Sequence, residues 1–242
     1  LLIALRNVGL EVETEEVVAY LQETDPTGQE GESQLATIVE ALVGAGGDPR
    51  DAGGVDLVAR LVETWDAGTG NYGEDLLSSA LIVMALAVAG EPVEEQAIAS
   101  LVTKQLDDGG WSYDGTDAGA ADAVATALVL QALAAVGQDD DEVVADAVAY
   151  LRTLQVDGGA FAYVPDFPPD ANTTGLIISA LIVAGENPKA QKWGEAVDGL
   201  LAFQNESGGF RFDDNDASDD LVSTVSALTA LAGAAMPVLP MT

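Results

Sequence analysis

Four aspartates, each followed four residues later by a hydroxyl side chain, are the strongest candidates for chemistry in this sequence. They form the pairs Asp75/Ser79, Asp122/Thr126, Asp170/Thr174 and Asp220/Thr224. An aromatic residue precedes each aspartate in the same stretch of chain: Tyr72, Tyr113, Tyr163 and Phe212. Carboxylates beside aromatic rings suit planar, amide-rich or cationic ligands. We therefore predict that these four aspartates and four aromatic residues bind a small molecule, with plain helix capping by the aspartates as the alternative.

A second candidate is the acidic stretch 213–220. Oxygen-bearing side chains occupy alternate positions there, as they do at the start of a calcium-binding loop: Asp214, Asp216, Ser218 and Asp220. The glycine expected at the sixth loop position and the closing glutamate are both missing. The pattern allows a calcium site, and a solvated acidic turn is the alternative.

Two residue types that carry much of protein chemistry are missing from the sequence. The chain contains no Cys and no His, which excludes a thioester, disulfides, a thiolate nucleophile, an imidazole base and the usual zinc sites. A pair of carboxylates acting as in a glycosidase remains open, because acidic residues are abundant. No pair stands out by its spacing.

The charge of the chain limits its partners. Eight Lys and Arg against 41 Asp and Glu give a formal charge of −33, which repels phosphate backbones and anionic head groups. We therefore predict no nucleic-acid partner. The apolar runs 76–89 and 173–184 are too short to cross a bilayer, so we predict no membrane insertion by this segment. Such acidity is typical of cell-surface or high-salt proteins, and we expect an extracellular or surface location.

The elements that position these residues follow from an internal repeat. Ala-Leu-x-x-x-Gly ends an apolar helical stretch in five places, and glycine there suits a left-handed helix cap. The glycines are Gly9, Gly46, Gly90, Gly137 and Gly185, and a sixth copy has Ala235 instead. The apolar pattern is helical in every copy, which predicts a mainly helical protein.

A second motif, Gln-x-x-x-Gly-x-aromatic, precedes the later apolar helices. Its clear copies are Gln105/Gly109/Trp111, Gln155/Gly159/Phe161 and Gln204/Gly208/Phe210. An amphipathic helix ends at each glutamine, and the glycine turn brings the ring back against the body of the protein. Each repeat is thus an outer amphipathic helix, a turn and an inner apolar helix.

This second motif resembles the QW motif of terpene cyclases and the related prenyltransferase repeat, and the resemblance covers nearly the whole chain. It implies an all-α fold, an α/α toroid of six helical-hairpin repeats with an inner ring of apolar helices inside an outer ring. The first repeat is truncated to its inner helix, residues 2–8. We expect one domain over residues 1–242, cut from a longer protein, with the Gln and aromatic residues bracing neighbouring helices. An open α-solenoid is the alternative architecture.

The resemblance also bears on function. Related cyclases use an acid in an Asp-x-Asp-Asp string, which is missing here. The nearest string, residues 139–142, is typical of a solvated turn. Related prenyltransferases hold zinc with residue types that this chain lacks. Transcobalamin-like members bind a corrinoid between the toroid and a second domain. We therefore predict a non-catalytic toroid that binds a small molecule, such as a corrinoid, or an adjacent domain of the same surface protein. The alternatives are an isoprenoid-converting enzyme, which a lumen with a lone acidic residue would favour, and a structural spacer.

Overall fold

Helices dominate the fold, as the apolar periodicity predicts. The structure is a computed structural model that describes residues 31–116, 118–138 and 141–233, together with residues 15, 16, 18 and 19. Helix accounts for 51% of it. The helices are α1 (Glu32–Ala45), α2 (Leu57–Val62), α3 (Leu76–Val88), α4 (Glu95–Thr103), α5 (Ala123–Ala135), α6 (Asp141–Thr153), α7 (Ala171–Val183), α8 (Ala196–Leu201) and α9 (Leu221–Leu231). The described ranges hold one sheet, an antiparallel pair of β1 (Trp65–Asp66) and β2 (Asn71–Tyr72).

The helices form two layers. The odd-numbered helices α1 to α9 are the inner helices, and each packs along the next in chain order. The outer helices α2, α4, α6 and α8 lie between them in sequence and pack against inner helices. This is the predicted arrangement of hairpins, with apolar helices inside amphipathic ones. The truncated first repeat, residues 2–8, lies outside the described residues.

Burial explains why the inner helices are apolar nearly all round. An inner helix contacts an outer helix on one side and inner helices on two others, so little of its circumference meets solvent. In α5, for example, ten of the thirteen residues are buried. None of the helices in the described ranges combines the length and the apolar character that crossing a bilayer requires.

The glycines that end the inner helices have the predicted left-handed backbone. Gly46, Gly90, Gly137 and Gly185 have φ between 67° and 85°, whereas Gly9 lies outside the described residues. After Gly137, the amide of Gln138 donates to the carbonyl of Leu133 at 2.9 Å, which satisfies a free helix-end carbonyl. The last repeat differs from the prediction, because α9 is shorter and Gly233, with φ 66°, takes this position. Ala235 lies beyond the described residues.

Replacing Gly137 by Ala should lower the stability by about 1–2 kcal/mol, the cost of a left-handed backbone for a residue with a Cβ. A Cβ added at Gly137 would meet no atom within 4 Å, so the cost is conformational rather than steric. Urea unfolding of the variant and the parent chain measures the difference. An unchanged midpoint would contradict the cap assignment.

Candidate active site

The four predicted aspartates sit at the N-terminal ends of inner helices and cap them. One carboxylate oxygen of each accepts the backbone amide three residues ahead, at 2.7 to 2.8 Å. The pairs are Asp75 with Ser78, Asp122 with Ala125, Asp170 with Thr173 and Asp220 with Ser223. The capping alternative is therefore realised at every copy. We call this end of the inner layer, defined by these four aspartates, the mouth.

The hydroxyl four residues after each aspartate holds the turn of the second motif. Its oxygen accepts the backbone amide of the motif's aromatic residue, as Thr126 does for Trp111 at 3.0 Å and Thr174 for Phe161 at 3.0 Å. The same contact joins Thr224 to Phe210 at 2.9 Å and Ser79 to Tyr72 at 3.1 Å. The sequence displays this hydroxyl, but its partner becomes visible only in the structure.

The motif glutamines brace the outer layer, as the resemblance implies. The side-chain amide of Gln155 donates to the carbonyls of Gly159, at 2.9 Å, and Trp193, at 2.7 Å. Gln105 likewise reaches Gly109 and Val143, both at 2.9 Å. Each glutamine thus ties its own turn to the next outer segment.

Three of the four predicted aromatic residues form an exposed rim at the mouth. Tyr113, Tyr163 and Phe212 are 38% to 54% exposed, and Phe167 joins them at 60%. The carbonyl of Tyr163 accepts the Ala123 amide at 2.9 Å, and that of Phe212 accepts the Ala171 amide at 2.9 Å, so each turn sits over the neighbouring helix start.

Tyr72 does not join this rim. It is buried, and its hydroxyl accepts the Glu94 amide at 3.2 Å. It corresponds to the buried motif rings Trp111, Phe161 and Phe210, because it follows its turn glycine by two residues as they do. Its chemistry is therefore packing rather than ligand contact.

The mouth carboxylates do not titrate alike. Burial raises the pKa of Asp122 and of Asp170, despite the amide hydrogen bonds that both accept. The hydroxyl of Tyr163 also donates to Asp122 and opposes that rise. The backbone amide of Ser223 donates to Asp220 at 2.7 Å and lowers the pKa of that carboxyl, which stays near solvent. Mutual repulsion of these carboxylates is therefore not the main cause of the shifts.

The acidic stretch 213–220 directs its oxygens to separate partners. Asp214 forms an ion pair with Arg211 at 2.7 Å, Asp216 accepts from the amide and hydroxyl of Ser218, and Asp220 caps α9. The described part of the chain contains no group of three or more acidic side chains placed to hold a metal ion. Calcium binding by Asp214, Asp216, Ser218 and Asp220 stays a prediction that this geometry does not favour.

The side of each inner helix that faces the centre of the ring is inferred from the direction of the hydroxyls that follow the capping aspartates by four residues. Thr126 and Thr174 point to the outer turns. Successive residues are about 100° apart around a helix, so the residues on the opposite side of each helix point to the centre of the ring. Some of these inward positions in α3, α5 and α7 hold apolar side chains that are only partly buried: Leu77, Leu81, Val124 and Leu176. Others hold buried polar side chains, such as Gln131 and Ser179. The apolar positions give the inner layer an apolar surface that a nonpolar substrate can contact.

Glu40 is the functional candidate that the sequence reasoning missed. It lies in the middle of α1, about 140° around the helix from the outward-facing Leu35. Only 5% of it is exposed, and neither carboxylate oxygen has a hydrogen-bond partner among the described residues. Burial alone raises its pKa from 4.5 to about 8. Glu40 therefore holds its proton at neutral pH.

A signal for Glu40 was present in the repeat register. Counted from the residue that precedes each inner helix, the ninth position is Glu40 in α1. The equivalent residues of the other inner helices are Met84, Gln131, Ser179 and Thr229, and all are buried. A glutamate at a position that the other repeats keep buried predicts a buried acid. Aligning the repeats by their caps, rather than by motif endings, would have found it.

Comparison with known proteins adds to this geometry. No protein-family model and no curated protein sequence matches the chain. Solved structures do match. The type II terpene cyclase MstE from Scytonema is 16% identical, with a TM-score of 0.69 over 98% of this chain and 87% of its own. Protein geranylgeranyltransferase-I of Candida albicans is 14% identical, with a TM-score of 0.68 over 95% of this chain and 81% of its own.

A third match covers nearly all of this chain but only about half of the matched protein. The ent-copalyl diphosphate synthase from Streptomyces platensis is 19% identical, with a TM-score of 0.67 over 96% of this chain but 48% of its own. Together these likenesses confirm the α/α toroid fold and replace the open solenoid alternative. At identities of 14% to 19% they establish the fold alone.

The main functional prediction is wrong. We expected a non-catalytic toroid that binds a small molecule or a neighbouring domain, but the three proteins that share the fold over nearly the whole chain are enzymes. The isoprenoid enzyme, which the sequence left as an alternative, is the better interpretation.

Proposed function

We propose that the protein is an enzyme that holds an isoprenoid chain against the inner face of the ring and protonates it from Glu40. The observation that carries this proposal is the buried carboxyl of Glu40, which has no hydrogen-bond partner in the described part of the chain. The cyclase and transferase folds support it, since one of the cyclase structures holds a geranylgeranyl dihydroxybenzoate substrate.

Burial gives Glu40 two properties that a general acid needs. The side chain is still protonated near neutral pH, because burial disfavours the anion and no described residue donates a hydrogen bond to it. Once the proton has left, the carboxylate and the cation formed on the substrate attract each other strongly, because the surroundings have a low dielectric constant. The proton adds to a double bond or an oxygen of the substrate. A later proton loss restores the balance of an isomerisation or cyclisation.

The apolar inward side chains supply the second requirement. A carbocation reacts with water, so the reacting carbons must be kept from solvent. Leu77, Leu81, Val124 and Leu176 offer a surface without nucleophilic atoms. The exposed rings of Tyr113 and Tyr163 at the mouth can contact the outer part of the chain and attract positive charge through their faces.

Glu40→Gln should abolish most of the turnover while leaving substrate binding intact. Removing a general acid costs roughly 10²- to 10⁴-fold in rate, and Gln keeps the shape of the side chain. The measurement is product formation from geranylgeranyl substrates, followed by gas chromatography and mass spectrometry. Activity of the parent protein should also fall as the pH rises through about 8, where Glu40 ionises.

Glu95→Gln is the matched control for this experiment. Glu95 is exposed and begins the outer helix α4, so its loss of charge should leave turnover unchanged. A Glu40→Gln variant that forms product as fast as the parent protein would refute the assignment of Glu40 as the acid.

A further inference from the structure

Four large apolar side chains are exposed beside the starts of α7 and α9. They are between 47% and 74% exposed: Phe167, Phe212, Leu221 and Val222. A single exposed apolar residue is ordinary on a protein surface, whereas several of them in one place mark an interaction site. We call the surface formed by these four side chains the α7–α9 patch.

Backbone contacts bring the segments that carry these side chains together. The carbonyl of Phe212 accepts the amide of Ala171, the first residue of α7, at 2.9 Å. Phe167 precedes Ala171 by four residues. Leu221 and Val222 begin α9, which packs along α7. The patch therefore spans the starts of two neighbouring inner helices.

The turn that carries Phe167 is stiff. Asp166 is the one residue other than glycine with a left-handed backbone in the described ranges, with φ 66°. The amide of Phe167 donates to the carbonyl of Val164 at 3.2 Å and closes the turn. Three prolines fix φ around it: Pro165, Pro168 and Pro169. A ring that is held in place before binding loses little conformational entropy when a partner covers it.

Negative charges in fixed positions adjoin the patch. Three carboxylates lie between Phe212 and α9 in the chain, and each accepts a hydrogen bond from a nearby polar side chain. The pairs are Asp213 with Asn215, Asp216 with Ser218 and Asp219 with Asn205. These hydrogen bonds lower the pKa of all three carboxyls, so the three are ionised at neutral pH. Asp213 also lies close enough to Asp170, the cap of α7, for their charges to interact.

From the exposed apolar side chains and the carboxylates beside them, we infer that the α7–α9 patch binds a basic amphipathic segment of a second protein. The apolar face of that segment covers the patch, and its Lys and Arg side chains meet the carboxylates, which orient it. A second copy of this chain, with the same formal charge of −33, would be repelled, and so would an anionic bilayer. Binding at this patch needs neither Glu40 nor turnover.

The test is the binding of a fluorescein-labelled helical peptide of about 18 residues, with Leu on one face and Lys on the other, to the full chain. Fluorescence anisotropy at about 0.15 M sodium chloride should show saturable binding. Phe212→Ser and Val222→Ser should each weaken it about tenfold or more, because each removes apolar contact area without changing the charge.

Val62→Ser is the matched control for Val222→Ser. Val62 is also exposed, but it ends the outer helix α2, which contributes nothing to the patch. Its replacement should leave the affinity for the peptide unchanged. All three side chains are exposed, so the variants should fold as the parent chain does, and circular dichroism checks this.

Equal affinity of the parent chain, Phe212→Ser and Val222→Ser for the peptide would show attraction by overall charge alone and would overturn the inference. Two other results would assign the patch to a different occupant and overturn it as well. One is a dimer of the chain that Val222→Ser abolishes while peptide binding stays. The other is binding to phosphatidylcholine vesicles with the same dependence on Val222.

Discussion

Gly159→Ala should destabilise the protein by about 2–5 kcal/mol. Gly159 has φ 90°, which already costs a residue with a Cβ about 1–2 kcal/mol. The added Cβ would also overlap the carbonyl oxygen of Glu195 and lie 2.9 Å from the nitrogen of Ala196. Both are backbone atoms at the start of α8, so the outer segment would have to move.

The repeat supplies a matched control for this substitution. Gly208 occupies the same place in the last motif and has the same φ of 90°, but a Cβ there meets no atom within 4 Å. Gly208→Ala should therefore cost only the conformational term, about 1–2 kcal/mol. Urea unfolding of both variants measures the two losses. Equal losses would show that the close approach of the Gly159 turn to α8 contributes nothing to stability.

Glu40→Gln should remove part of the pH dependence of the protein's unfolding free energy. The folded-state pKa of Glu40, about 8, lies above its ordinary value of 4.5, so the folded state holds the proton more tightly than the unfolded state does. The protonated Glu40 side chain makes its full contribution to the stability of the folded state below about pH 4.5, and this contribution is lost as the pH rises towards about 8. In that window the parent protein should lose stability relative to the variant by up to about 1.4 kcal/mol per pH unit.

The measurement is the difference in unfolding free energy between the parent protein and Glu40→Gln at several pH values in high salt. High salt screens the many exposed carboxylates, whose titration would otherwise change the stability of both proteins. Glu95→Gln, on the exposed outer helix α4, should track the parent protein at every pH. Parallel curves for the parent protein and Glu40→Gln would contradict an ionisable group that is buried without a partner.

Predictions that depend on local patterns were confirmed. The helix ends at Gly46, Gly90, Gly137 and Gly185 follow from the chemistry of a single turn, because only glycine adopts a left-handed backbone without cost. The aspartate caps are local for the same reason, since Asp122 and the amide it accepts are three residues apart. The ring of hairpins follows from these local signals repeated in phase. The extracellular location stays a prediction.

Predictions that depend on what surrounds a side chain were the ones that failed. Tyr72 and Tyr113 are both aromatic residues near a turn, yet one is buried and the other exposed, because each lies at a different distance from its turn glycine. Glu40 is one of 41 acidic residues in the sequence. Composition does not distinguish Glu40 from the other acidic residues, and only its position in the repeat register indicates that it is buried.

The sequence by itself therefore determined the repeat, the helices, their caps and the excess of negative charge, because each of these is written in short-range spacing or in composition. Only the tertiary structure decided which acid is chemically different. The pKa of Glu40 depends on the burial of its side chain in α1, and none of the residues that the structure describes donates a hydrogen bond to its oxygens. Both are properties of packing between segments that are distant in sequence, and no local pattern records them.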